Sequence, residues 1–89
     1  MRKLVHTSQF KRDYKKLQRD KVLTGLVAVV VDNLLSGKAL PAKFRDHPLK
    51  GGYADCRECH IRPDLLLIYA RVPDELRLIR LGSHAELFA

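Results

Sequence analysis

Three histidines fall in the C-terminal half of this 89-residue chain, each beside a turn or a strand end: Asp46-His47-Pro48-Leu49, Cys59-His60-Ile61-Arg62-Pro63-Asp64 and Gly82-Ser83-His84. An imidazole near its ordinary pKa both takes and gives a proton at neutral pH. Asp64, Arg57 and Arg80 accompany the three in sequence. A carboxylate can orient an imidazole, and arginine can hold a phosphate bidentately and stabilise a pentacovalent transition state. These residue types suit metal-free cleavage of RNA, in which a base activates the ribose 2′-OH and an acid protonates the departing 5′-oxygen. His6, on an expected first strand, stands apart from them.

Cys56-Arg57-Glu58-Cys59-His60 matches the C-x-x-C-H pattern of covalent haem attachment. The segment reads as a strand, however, and residues three apart on a strand face opposite ways. The two thiols then grip neither one haem nor one zinc ion, and no haem, metal or other cofactor is expected. One cysteine should pack and the other stay half exposed.

The elements that must position the histidines follow from periodicity. Leu4 to Thr7 reads as a short strand, and Ser8 as the cap of a helix over 8–19 with Phe10, Tyr14 and Leu17 on one stripe. A second helix over 21–36 turns Leu23, Leu26, Val27, Val30, Val31 and Leu34 to one side and stops at Gly37. The short connection makes an antiparallel helical hairpin. Prolines 41, 48, 63 and 73 and the pair Gly51-Gly52 then punctuate strands at about 54–61, 65–71 and 75–81. Leu65-Leu66-Leu67-Ile68-Tyr69 is apolar on both faces and should be central. Helices first and an antiparallel sheet after predict an α+β fold of two layers, the hairpin packed on a small, mainly antiparallel twisted sheet.

Composition agrees with one domain over residues 1–89: 46% of the residues are apolar and 30% charged, so the chain can build a core. No apolar run approaches the ~20 residues that span a bilayer. No signal segment develops after Met1-Arg2-Lys3, so the cytoplasm is the expected compartment and a membrane is not a partner. The net charge of +7 is uneven, because residues 1–21 hold eight Lys/Arg against two Asp. Lys11, Arg12, Lys15, Lys16 and Arg19 therefore mark the first helix as a candidate RNA-binding face.

Three blocks, Asp46-His47-Pro48-Leu49, His60-Ile61-Arg62-Pro63-Asp64-Leu65-Leu66-Leu67-Ile68-Tyr69 and Gly82-Ser83-His84-Ala85-Glu86-Leu87-Phe88, come in the order and at the spacing of the YafQ branch of the RelE toxin superfamily. With the helical hairpin before them, the chain resembles that family over essentially its whole length. The resemblance implies a toxin of a type II toxin–antitoxin system, a metal-independent endoribonuclease that cuts mRNA in the ribosomal A site. It leaves a 2′,3′-cyclic phosphate and a 5′-hydroxyl. By the same resemblance His47 and His60 are proton-transfer candidates, and His84 is an acid or phosphate ligand. Asp64 orients a histidine or acts as base, and Phe88 holds or stacks a base. Arg57 and Arg80 are expected on phosphate, and the basic helix on ribosomal RNA. The implied partners are mRNA, the ribosome and an acidic antitoxin, expected to be ribbon-helix-helix, through which alone the toxin meets operator DNA. Leu65 stands where many relatives carry an aromatic residue, and Cys56 where they carry tyrosine. The competing reading is a non-catalytic nucleic-acid-binding module or corepressor subunit, which the basic helix supports equally well.

Overall fold

Short polar side chains open both N-terminal helices. In a computed structural model, which describes residues 2–53 and 55–88, strand β1 (Lys3–His6) runs into helix α1 (Ser8–Lys15). The cap is Thr7 rather than Ser8: its hydroxyl accepts the Phe10 N–H at 2.9 Å and donates to the Ile79 carbonyl at 2.7 Å. Either hydroxyl could cap, but only Thr7 also reaches the sheet. Helix α1 stops at Lys15, short of the expected 19, because Asp20 must leave helical geometry to cap helix α2 (Lys21–Leu35). The Asp20 carboxylate accepts the Val22 and Leu23 N–H groups, each at 3.1 Å. Gly37, at φ +76°, ends α2, and the Lys38 N–H closes on the Asn33 carbonyl at 3.0 Å.

The remaining elements are β2 (His47–Pro48), β3 (Arg57–Arg62), β4 (Leu65–Val72), β5 (Glu75–Gly82) and helix α3 (His84–Phe88), with 3-10 turns at Ala42–Phe44 and Gly51–Tyr53. The expected strand 54–61 starts only at Arg57, since the Cys56 N–H bonds back to the Tyr53 carbonyl at 2.8 Å and prolongs the turn. Ala54 lies outside the described residues. The sheet order is β1-β5-β4-β3-β2. All neighbours are antiparallel except β1, which runs parallel to β5 and brings the start of the chain beside its last strand.

Strand β4 is central and buried from Leu65 to Ala70. Leu65, Leu67 and Tyr69 meet Phe10, Val27, Val30, Val31 and Leu34 of the helices. Leu66 and Ile68 face the other way, under Leu87 of α3. That second face is otherwise open, and the titratable side chains gather there.

One buried carboxylate closes the sheet edge. Strand β1 ends opposite Leu78, leaving the rest of β5 without a strand on that edge. Asp13 of α1, 4% exposed, fills the gap. It accepts the Leu81 N–H at 3.0 Å and holds Arg80 through Nε at 2.8 Å and Nη2 at 3.1 Å. Burial pushes the Asp13 carboxyl up, but hydrogen bonds from Arg80, Leu81 and Gln9 outweigh it and hold the group below its ordinary value. The depressed folded value means that its contribution is complete above about pH 3.9, the unfolded value, and is lost as pH falls through the folded one. Asp13→Ala should cost on the order of 3 kcal/mol in urea unfolding, by stranding a buried N–H and a guanidinium. As pH falls below about 3.9 the wild type should lose stability more steeply than Asp13→Asn, and parallel curves would contradict this role.

Candidate active site

Alternation along β2 splits the first histidine block between two faces. The Asp46 carboxylate points to the helix side, where Oδ1 accepts the Tyr69 hydroxyl at 2.5 Å and Arg57 Nε at 3.1 Å. His47 then points to the open face. Pro48 lies on an edge strand, where a missing N–H costs nothing. Leu49 donates its N–H to the Cys56 carbonyl at 3.0 Å and packs against the Leu66–Ile68 cluster. The block thus pins His47 from both sides.

Glu58 carries the site although nothing in the three histidine blocks points to it. It pairs with His47 across β2–β3 and shares the open face with His60, two residues on. Its carboxylate is buried at 3% exposure. Oε2 lies 2.9 Å from His47 Nε2 and 3.7 Å from His60 Nε2, and Oε1 has no hydrogen-bond partner among the described residues. The two rings are 6.2 Å apart between centroids. Each is also held from behind by a main-chain carbonyl. His47 Nδ1 lies 2.6 Å from the oxygen of Arg45, and His60 Nδ1 lies 3.4 Å from that of Pro63. Both nitrogens of His47 therefore face acceptors; a neutral ring satisfies one of them and an imidazolium both. Arg45 delivers its carbonyl from a left-handed conformation, φ +49°, the one positive φ among described non-glycine residues. An arginine held there is a local strain that the surrounding turn maintains.

The Pro63–Asp64 turn joins this pair to the third histidine. Pro63 holds His60, while Asp64 Oδ1 accepts the His84 N–H at 3.3 Å. Asp64 is thus placed to fix where α3 begins. Ser83 and Glu86 form a capping box there, with Ser83 N–H to Glu86 at 2.8 Å and Glu86 N–H to Ser83 Oγ at 3.2 Å. One turn of helix carries the His84 ring to 5.1 Å from Phe88, and Tyr53 meets Phe88 edge-on at 5.9 Å. Phe88 remains 40% exposed, an aromatic surface beside the His84 imidazole.

The structure does not bring Arg57 to this face. Arg57 pairs with Tyr69 in register and turns to the helix side with Asp46, opposite to His60. Arg80 does share the open face, opposite Ile68, with its guanidinium held by Asp13 beside Tyr53. Lys11, Arg12, Lys15, Lys16 and Arg19 are all exposed, and the Lys16 charge acts on Glu86 of α3, so the basic helix adjoins the His84–Phe88 end. Cys59 is fully buried on the helix side, and Cys56 packs on the other. Burial and the charges of Asp46 and Glu58 push the Cys59 thiol up to about 12. Leu65 faces the helical core, where no stacking on a base is open to it. No helix is long and apolar enough to cross a membrane among the described residues.

The whole arrangement has relatives. The family model described as bacterial toxin of type II toxin-antitoxin system, YafQ, matches residues 2–89. The mRNA interferase toxin YafQ of Escherichia coli K12 is 35% identical, over 98% of this chain and 96% of that protein. The crystal structure of the E. coli DinJ-YafQ complex superposes with a TM-score of 0.90 at 32% identity, covering 100% of both chains. A copper-bound mutant toxin from Helicobacter pylori gives a TM-score of 0.92 at 42% identity, over 99% of this chain and 100% of that one. The three histidine blocks, the fold and these relatives agree, and the chain belongs to the YafQ family of type II toxin–antitoxin toxins.

Proposed function

We propose that this protein is an mRNA endonuclease that works on the translating ribosome in the cytoplasm and halts translation. The observation that carries the proposal is the pair of imidazoles set around the buried Glu58 carboxylate. His47 and His60 are the proton-transfer groups: one takes the proton of the ribose 2′-OH as that oxygen attacks the adjacent phosphorus, and another imidazole protonates the departing 5′-oxygen. The products are a 2′,3′-cyclic phosphate and a 5′-hydroxyl. Glu58 orients both rings and opposes the positive charge that develops on whichever has taken the proton. His84 serves as acid or phosphate ligand at the end fixed by Asp64. Arg80 opposes the charge of the transferring phosphate, and Phe88, with Tyr53 against its edge, stacks a base. Arg57, on the opposite face, acts on the site through Asp46.

The copper-bound relative raises the question of a metal. No group of three or more His, Cys, Asp or Glu side chains among the described residues is placed to hold one. The side chains supply the acid, the base and the phosphate contacts, and no step requires a metal. An acidic antitoxin, of ribbon-helix-helix type by family resemblance, complements the +7 charge and restrains the enzyme by sealing or distorting the site. Operator DNA is met only through that antitoxin. The E. coli complex with DinJ is the precedent for such a partner.

Single-turnover cleavage of ribosome-bound mRNA should fall about 10²–10⁴-fold in His47→Ala, His60→Ala and His84→Ala, with ribosome affinity within a few fold. Glu58→Gln, which keeps the shape and removes the charge, should fall in the same range, and unchanged rates in all four would leave a binding module. EDTA should leave the wild-type rate unaltered; loss of cleavage restored by added metal would overturn the metal-free mechanism. Charge reversal of Lys11, Lys15 and Lys16 together should weaken ribosome association and flatten its salt dependence. A salt-independent wild-type affinity would remove the basic helix from the interface.

A further inference from the structure

A second basic feature borders the imidazoles and has no part in the scheme above. The 3-10 turn at Ala42–Phe44 and the Pro63–Asp64 turn enclose a cleft of about 360 Å³ that has His60 in its wall. That volume lies at the small end of ligand clefts, roughly 300–1,000 Å³. Lys43, Arg45 and Arg62 rim it, and Leu26, Ile61 and Pro63 are its apolar lining. Among the described residues, none that lines the cleft is acidic. The three cations are exposed and make no ion pair among the described residues, whereas Arg57, Arg77 and Arg80 are each bound to a carboxylate. Lys43 Nζ sits 5.2 Å above the Phe44 ring, which keeps the ammonium at the rim.

The position of the cleft matters as much as its charge. Arg45 and Pro63, which line it, are the same two residues whose carbonyls hold His47 and His60. A strand of RNA with its scissile phosphate at those imidazoles has an aromatic surface, Phe88 and Tyr53, on the α3 side. The cleft adjoins His60 through the turns that hold both rings. We propose that this cleft is a nucleotide subsite for the RNA, resting on the endonuclease reading above. It takes one nucleotide flanking the scissile bond, with its phosphate on Lys43, Arg45 and Arg62 and its sugar or base against Leu26, Ile61 and Pro63. A single-stranded polyanion with an apolar face to each unit fits such a mixture of rim and lining.

The test uses Lys43→Gln/Arg62→Gln in the full chain and RNA oligonucleotides that carry 2′-deoxyribose at the scissile position. With a full-length oligonucleotide the double variant should bind about 10-fold more weakly, and its salt slope should drop by about 0.7 for each phosphate that is no longer neutralised. Shortening the RNA one nucleotide at a time from each end should then reach, at one end only, a length at which wild type and variant bind alike. Equal affinities at full length would overturn the subsite. So would a difference that survives every truncation, which marks a diffuse charge effect, or one seen only with an acidic antitoxin peptide, which assigns the cleft to the inhibitor. If the wild type does not cleave mRNA on the translating ribosome, the endonuclease reading itself fails; if it does and the variant binds the oligonucleotides as the wild type does, only the cleft fails. Both side chains are exposed, and unchanged thermal melts will show that the variant is folded.

Discussion

Glu58 puts a carboxylate where a sheet would ordinarily put a hydrocarbon, and much of the open face is arranged around it. An ionised group removed from water is costly unless it is paired and hydrogen-bonded. Here the partners for Oε2 are two imidazoles from a neighbouring strand and from two residues along its own, while Oε1 has none among the described residues. Holding two rings at one carboxylate needs both rings fixed. That explains the main-chain carbonyls of Arg45 and Pro63 behind them and the left-handed backbone of Arg45. The same frame explains the register break between His60 and Arg62, since a bulge re-aims the side chains beside it.

Two further carboxylates supply the rigidity this demands, each tying a helical or loop segment to the sheet. Asp46 binds the edge strand β2 to Tyr69 and Arg57 on the helix side, so the backbone cannot turn to release His47. Asp13 fills the unpaired edge of β5 and fixes Arg80. Burial and the Asp46 hydrogen bond together push the Tyr69 hydroxyl up to about 12, keeping it a donor across the working range of pH. Three buried or half-buried acids thus have three different tasks, set by what each faces.

The fold was legible wherever local pattern decides. The valine-rich helix, the two-faced β4 and the glycine stop at Gly37 follow from spacing and composition. The parallel pairing of β1 with β5 was not, because it joins residues more than seventy positions apart and leaves no local mark. The choice between Thr7 and Ser8 as cap also needed the sheet, since only contact with Ile79 separates two adjacent hydroxyls. Within the site, the histidines stood out by residue type, and Phe88 only through the family resemblance. Glu58 did not, hidden within a cysteine-histidine pattern that drew attention to the wrong side chains. The signal was present, for Glu58 and His60 are two apart on a strand and share a face. Asp13 was legible in the same way, a carboxylate on the stripe of Phe10, Tyr14 and Leu17. Arg57 misled because odd and even positions of β3 serve opposite faces.

The central claim is that imidazoles held at Glu58 drive attack by the ribose 2′-OH on the neighbouring phosphate. The most direct measurement places a single 2′-deoxyribose at the cleaved position of an otherwise natural mRNA on a translating ribosome. The account predicts that cleavage at that position disappears while the unmodified message is cut to a 2′,3′-cyclic phosphate. Cleavage that persists at the deoxy position would contradict it, because the attacking oxygen would then have to come from water or another source.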